Sequence, residues 1–238
     1  MARIDIILPC YNPPPLWSRK VADTFLEIEQ QNPQHEWGLI VVNDGSVVNF
    51  GPADIQLLQQ TIRNGKVIDG AVNMGKGFVL REGVRRSESA FCIYTDIDFP
   101  YTPDSFQAIL LALEQGADVA AGSRDASYYS SIPALRVAVS RLLRGLIRLC
   151  LRLKMADTQC GLKGFSRRGR EIFLQTTIHR YLFDLEFIYL ASRKKDIRLK
   201  AVPVVLREGI HFRRLSLKIL LREGLNFLRI FFRSLRRS

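Results

Sequence analysis

Residues 91–121 read FCIYTDIDFPYTPDSFQAILLALEQGADVAA. A short apolar run, Phe91 to Thr95, breaks into the acids Asp96 and Asp98. Pro103 then opens a helix-like stretch over 104–115, because its missing N–H and fixed φ suit a first helical turn. A second β run follows at Asp118 to Ala121. The same alternation extends upstream. Candidate strands are Ile4 to Leu8, Leu39 to Val42 and Lys66 to Asp69, separated by helix-like stretches near 16–31, 53–62 and 76–87. Strands that alternate with helices predict an α/β fold with a mostly parallel sheet and helices on both faces. Functional side chains then belong at the carboxyl ends of the strands.

Polar residues punctuate those ends. They are Pro9-Cys10-Tyr11-Asn12, Asn43-Asp44-Gly45-Ser46, Asn73-Met74-Gly75-Lys76-Gly77, Asp96-Ile97-Asp98 and Gly122-Ser123-Arg124. Alternate residues of an extended segment share a side. Asp96 and Asp98 therefore offer two carboxylates together, which suits a hard divalent cation such as Mg²⁺ or Mn²⁺ with a diphosphate supplying further oxygens. For Asp44 two readings stand: an Asx-turn that closes the strand, or a carboxylate that bonds the base or ribose of a nucleotide. The glycines around Lys76 suit an anion or a nucleotide edge at a helix start. The segment lacks the spacing of a P-loop. No GxGxxG follows the first strand, which argues against a dinucleotide-binding unit and weakens a nucleotidyltransferase reading.

The composition is that of a globular protein: 238 residues, 47% hydrophobic, 24% charged. Disordered, collagen-like and low-complexity chains are excluded. Cys10, Cys92, Cys150 and Cys160 form no CxxC pair, so neither a disulfide scaffold nor a cysteine zinc site is expected, and a reducing compartment is. His35, His179 and His211 share no ligand spacing. Cys160, Trp17 and Trp37 read as packing residues.

The net charge of +12 sits in two segments. Residues 124–154 carry +6 and residues 207–238 carry +7, so the remainder is close to neutral. In the first, Arg141, Arg144, Arg148 and Arg152 lie opposite Leu142, Leu143, Leu146, Leu149 and Leu153. A core-packed helix and an interfacial helix both fit this pattern. In the second, Arg214, Lys218, Arg222, Arg229 and Arg233 share a face beside a broad apolar side that includes Leu225, Leu228, Phe231 and Phe232. That pattern predicts a helix lying on an anionic membrane. No run reaches ~20 apolar residues, and the N-terminal apolar run is too short for a signal peptide. The expectation is a cytoplasmic protein in peripheral contact with a membrane and without a nucleic-acid partner. One domain over 1–206 and a basic amphipathic extension over 207–238 complete the predicted organisation.

In their order, ILPCYNP, VVNDGS, NMGKG, TDIDF and GSR resemble family-2 glycosyltransferases, whose fold is GT-A (Rossmann-like). ADTQCGLKGFSR followed by RYLFDLEFIYLA is similar to the dolichyl-phosphate glucosyltransferase and mannose synthase branch, and DTQCG with FDLE is most like the glucosyltransferase type. The resemblance covers about residues 3–206. It implies that Pro9, Tyr11 and Asp44 hold base and ribose, with Gly75 and Lys76 close by. It implies Asp96 near ribose and diphosphate, with Asp98, and Asp96 beside it, at the metal. It also implies that Arg124, Arg136 and Ser140 lie where phosphate of the lipid acceptor or of the donor binds, with Gln159 near the acceptor, and that Asp157 and Gln159 face the sugar. Asp98, Asp157 and Arg124 would then carry catalysis. The chain departs from the family's pattern at Pro13, Asn43 and Ile97.

The implied reaction moves glucose or mannose from a nucleotide sugar, of UDP-glucose or GDP-mannose type, to polyprenyl phosphate. Such an acceptor is already anionic and needs orientation more than a base. A sugar hydroxyl would need a base, which Asp157 or Asp184 could supply. Asp184 and Glu186 equally suit a helix N-terminus as an acid pair favoured by its dipole. The rival activities are transfer to a polysaccharide and, from a different class, a non-catalytic basic membrane adaptor.

Overall fold

The computed structural model describes residues 1–124, 145, 151, 153, 155, 157–208 and 223–231. Seven strands form one sheet among them: β1 (Arg3–Cys10), β2 (Glu36–Asn43), β3 (Gly65–Ile68), β4 (Phe91–Tyr94), β5 (Val119–Arg124), β6 (Lys163–Ser166) and β7 (Leu199–Val204). Six helices flank them: α1 (Trp17–Gln31), α2 (Pro52–Thr61), α3 (Lys76–Arg86), α4 (Pro103–Glu114), α5 (Arg167–Phe173) and α6 (Phe183–Ser192). The spatial order is β3-β2-β1-β4-β6-β5-β7. All neighbours are parallel except β6, which runs antiparallel to both β4 and β5.

Both faces of the sheet are covered, and the period-2 alternation of β1 divides the core. Ile4, Ile6 and Leu8 pack with Val21 and Phe25 of α1, Leu58 of α2 and Phe106 of α4. Ile7 lies on the other face with Val79 and Leu80 of α3, Phe173 of α5 and Phe187 of α6. Each such apolar side chain taken from water contributes about 1.5–3 kcal/mol. Trp17 and Trp37 are buried as expected, each donating its indole N–H to a backbone carbonyl.

The five anticipated strands and four anticipated helices are present. Two strands come in addition. β6 is four residues long and carries a lysine, which hides it from a hydropathy pattern. β7 contains Pro203, which a central strand cannot accommodate, and it occupies the sheet edge where a missing N–H costs nothing.

Of the C-terminal segment, 223–231 is helical. It is fastened to the domain by the Leu182 N–H, which donates to Glu223 Oε2 at 3.0 Å, and by Ile230, which joins the α6-side core. Leu225 and Leu228 face solvent, at 63% and 46% exposure. The wide apolar side thus splits: one edge packs inward through Phe227 and Ile230, and the other stays exposed. Most of 124–154, with Arg136 and Ser140, lies outside the described residues, as does His211.

Candidate active site

The carboxyl ends of β1, β2 and β3 are laced together by short polar side chains. Asn12, at φ 44°, receives the Val47 N–H on its Oδ1 at 2.9 Å, and its own N–H donates to Ser46 Oγ at 2.9 Å. Asn43 donates through Nδ2 to Asp69 Oδ1 at 2.7 Å and accepts the Ser46 N–H at 3.0 Å. An aspartate at 43 would set two carboxylates against each other, which accounts for the amide. Gly45 has φ +70°, and a Cβ there would lie 2.7 Å from the Val72 carbonyl carbon. The loops after β2 and β3 touch only because that position is glycine.

Asp44 spans the same gap. Its carboxylate accepts the Met74 N–H at 2.6 Å, the Gly75 N–H at 3.0 Å and the Asn73 amide at 3.0 Å. Burial lifts its pKa above the usual carboxylate value, against the pull of those N–H groups and of the Arg180 charge. Asp44 is therefore the clasp of the 73–75 turn and not an Asx-turn within its own strand. Pro9 is partly buried and Tyr11 exposed on the adjoining rim.

At the glycine-rich start of α3 several backbone donors already have partners. Gly75 (φ +103°) gives its N–H to Asp44, and the Gly77 N–H donates to the His179 carbonyl at 2.8 Å. The Phe78 N–H also turns to that carbonyl. The Lys76 ammonium stands 2.6 Å from Asp96 Oδ1. Burial disfavours this ammonium, but Asp96, with Asp184 and Asp98 behind it, more than offsets that and raises its pKa above that of an ordinary lysine.

Asp96 and Asp98 follow β4 in a tight turn. The Phe99 N–H donates to the Asp96 carbonyl at 3.0 Å, and Phe99 takes φ +45°. The Asp96 side chain is 44% exposed, and Asp98 is exposed too. Two hard oxygen donors at one strand end fit Mg²⁺ or Mn²⁺ only if a ligand and water complete the shell. The described residues contain no third acid, histidine or cysteine grouped with them.

The segment 157–161 closes the site from the other side. A Cβ at Gly161 would lie 2.8 Å from Asp96 Oδ2, so this glycine lets the DTQCG turn press against the acid pair. Asp157 is gripped by Arg124 at the end of β5, Nε to Oδ2 at 2.7 Å and Nη2 to Oδ1 at 2.8 Å. The Arg124 and Gln159 backbone N–H groups add 3.1 Å and 3.2 Å bonds. Burial pushes the Asp157 carboxyl up, yet the Arg124 fork outweighs it and holds the pKa below the ordinary aspartate value. Cys160 is buried, with its thiol pushed up by desolvation, as suits packing and not a nucleophile.

Beneath the turn lies a buried ion pair absent from the expected site. Lys163 is fully buried, and its Nζ bonds Asp184 Oδ1 at 2.6 Å and the Cys160 carbonyl at 2.5 Å. The Tyr94 hydroxyl donates to the same Asp184 oxygen at 2.5 Å. Glu186 is likewise structural, accepting the Thr177 and Ile178 N–H groups at 2.8 Å each. Asp184 and Glu186 thus brace loops and do not act as exposed acids. One sequence signal marked Lys163: a lysine inside the apolar and glycine run GLKGF can be accommodated only if a carboxylate meets it.

A parallel sheet in this order, with one reversed strand beside β4 and an acid pair at the β4 end, defines a GT-A nucleotide-sugar transferase architecture. Residues 5–173 match the Glycosyl transferase family 2 model, and the chain belongs to that family. It is 27% identical over 224 residues to a dolichyl-phosphate beta-glucosyltransferase of Trichomonas vaginalis, covering 85% of this chain and 63% of that protein. It is 27% identical over 210 residues to the dolichyl-phosphate beta-glucosyltransferase of Drosophila melanogaster, covering 81% and 63%. The chain thus spans a little under two thirds of these relatives. Among solved structures, glucosyl-3-phosphoglycerate synthase from Mycobacterium tuberculosis, in complex with Mn²⁺, UDP and phosphoglyceric acid, superposes with TM-score 0.67 at 15% identity, over 98% of this chain and 78% of that one. Mannosyl-3-phosphoglycerate synthase from Rubrobacter xylanophilus gives 0.66 at 15% identity, over 99% and 74%. These likenesses show the fold.

Proposed function

We propose that the protein transfers a hexose from a nucleoside diphosphate sugar to a polyprenyl phosphate of dolichyl type, at the cytoplasmic face of a membrane. The observation that carries this reading is the engagement of the inner carboxylates by cations: Asp157 by Arg124, and Asp184 by Lys163. A hydroxyl acceptor needs a base near neutrality, whereas a phosphate brings its own anionic oxygen. The names of the curated relatives support the same acceptor.

In this reading the acceptor oxygen attacks the anomeric carbon in line with the departing diphosphate, in one displacement that inverts configuration. Asp44 keeps the 73–75 turn in place beside the base and ribose, with Pro9 and Tyr11 on the rim. Lys76 meets negative charge on the diphosphate. Arg124 sits where a phosphate can share its guanidinium with Asp157, as the planar fork permits, and Arg136 and Ser140 are its proposed companions. Gln159 and Asp157 border the sugar. Asp96 and Asp98 would hold a divalent cation, which would supply electrostatic stabilisation of the leaving diphosphate, and the Mn²⁺ in the solved neighbour supports its use.

Residues 1–206 form the transfer domain in this proposal, and 207–238 the membrane-facing extension. No helix among the described residues is long and apolar enough to cross a bilayer, and the exposed Leu225 and Leu228 beside Arg229 support surface contact. The test is a panel of UDP- and GDP-hexoses with Mg²⁺ or Mn²⁺, offered polyprenyl phosphate or an oligosaccharide. Transfer to the lipid phosphate is expected; transfer to the oligosaccharide alone refutes the acceptor.

A further inference from the structure

The Lys76 ammonium stands 2.6 Å from Oδ1 of Asp96, one of the two carboxylates proposed to hold the cation. We propose that Lys76 is a displaceable occupant of the metal position, which keeps a divalent cation out until a nucleoside diphosphate enters and takes the ammonium over. This rests on the metal-dependent nucleotide-sugar reading above.

Three features of the site carry it. First, the contact is direct, 2.6 Å from Nζ to Oδ1, so a cation drawn to Asp96 meets the positive charge of the ammonium in contact with its ligand. Second, among the described residues the Lys76 ammonium has no hydrogen-bond partner besides Asp96. Asp184, the buried carboxylate that also acts on it, already has Lys163 at 2.6 Å and the Tyr94 hydroxyl at 2.5 Å. The remaining hold on Lys76 is weak, with the Phe183 ring centroid 5.9 Å away. Its departure therefore strands no buried charge, and the partly exposed Asp96 is neutralised by the incoming cation. Third, charge balance orders the events. With Lys76 in place, the ammonium offsets the Asp96 carboxylate, which leaves a poorer site for a lone divalent ion. A diphosphate brings several further negative charges and gives the ammonium a better partner. A lysine, a single charge on a flexible stem with rotatable donors, can make that move within one site.

The experiment is Mn²⁺ titration, by calorimetry and by Mn²⁺ paramagnetic resonance, of wild type, Lys76→Met, Lys76→Gln and Lys76→Arg, each with and without UDP. Wild type is expected to bind Mn²⁺ weakly alone and well with UDP. Lys76→Met and Lys76→Gln should bind Mn²⁺ alone about tenfold tighter, the scale of one charge-assisted hydrogen bond, and UDP should help them less. Lys76→Arg should follow wild type. Arg180→Gln removes a nearby cation that bonds Asn73 and not Asp96. It should leave Mn²⁺ affinity within about twofold, which separates contact from bulk electrostatics. Equal Mn²⁺ affinity in wild type and in both neutral variants, with the UDP complex intact, overturns the inference and leaves the proposed function standing. An equal gain in Arg180→Gln also overturns it. Failure of every form to bind Mn²⁺ even with UDP or GDP overturns both.

Discussion

Replacing Lys163 by methionine should destabilise the fold by about 3–5 kcal/mol, the cost of breaking a buried pair from one side. The magnitude follows from what is left behind. Lys163 has no exposed surface and Asp184 is 5% exposed, so water cannot take over the lost contact. Among the described residues Asp184 would keep one side-chain hydrogen bond, from the Tyr94 hydroxyl, and the Cys160 carbonyl would lose its Lys163 donor. Methionine fills much of the lysine volume, so the loss reports the charge and not a cavity. The double variant Lys163→Met/Asp184→Asn removes both charges and should recover about 1–3 kcal/mol relative to the sum of the single variants. Urea unfolding followed by fluorescence and far-UV dichroism measures all three, and a domain of this size should melt roughly 10 °C lower in the Lys163→Met variant. A loss under about 1 kcal/mol in Lys163→Met, or strict additivity in the double variant, would show that the pair does not hold the turn.

Asp98→Ala should abolish transfer while UDP binding without metal survives, read by calorimetry beside a turnover assay; wild-type turnover refutes the metal assignment. Arg124→Ala should lower lipid-acceptor transfer more than donor hydrolysis, with Arg124→Lys a poor substitute because the two-pronged grip on Asp157 is lost. The same variant tests linkage. The folded-state pKa of Asp157 is depressed, so its stabilisation is full above the ordinary aspartate pKa and is lost as pH falls through the lower folded value. Arg124→Ala should remove that contribution, so its stability deficit relative to wild type should be present at neutral pH and shrink as the pH falls below about 4; a deficit independent of pH counts against the pair. Leu225→Asp/Leu228→Asp should cut co-sedimentation with anionic vesicles and leave UDP affinity unchanged. Truncation after Gly209 should cut it too, but it also removes Ile230 from the core, so the exposed leucines are the cleaner probe. Undiminished sedimentation of both would make the helix a packing element.

The strands and helices of the first half were legible because local rules act there unopposed. Apolar alternation in β1, proline at the starts of α2 and α4, and acids closing β4 each agree with the fold. Reading fell short where long-range partners decide. β6 is a strand because β4 and β5 flank it, not because Lys163-Gly164-Phe165-Ser166 favours one. The site shows the same division. Residue types at strand ends pointed to Asp44, Asp96, Asp98 and Arg124, but their partners lie far along the chain. That Asp44 clasps 73–75, that Arg124 grips Asp157 and that Lys76 reaches Asp96 could not be read from spacing. Asp184 looked like a helix-start acid, and only the lysine 21 positions earlier makes it a buried counter-ion.

The reversed strand β6 also sets an order on assembly. β1 to β4 can pair as soon as they are made, since each has a sheet neighbour earlier in the chain or next to it. β5 has none: its partners are β6 and β7, both later. A ribosome therefore delivers the β1–β4 half, with the acid pair at its margin, while β4 still shows an open edge and Arg124 has no Asp157 to grip. Closing that edge waits for Lys163, whose buried charge must find Asp184 in α6, which is made later still. The part of the sheet that closes late is thus the part proposed to receive the acceptor, and the nascent chain carries an unpaired strand edge through that interval, the kind of edge on which misassembly starts.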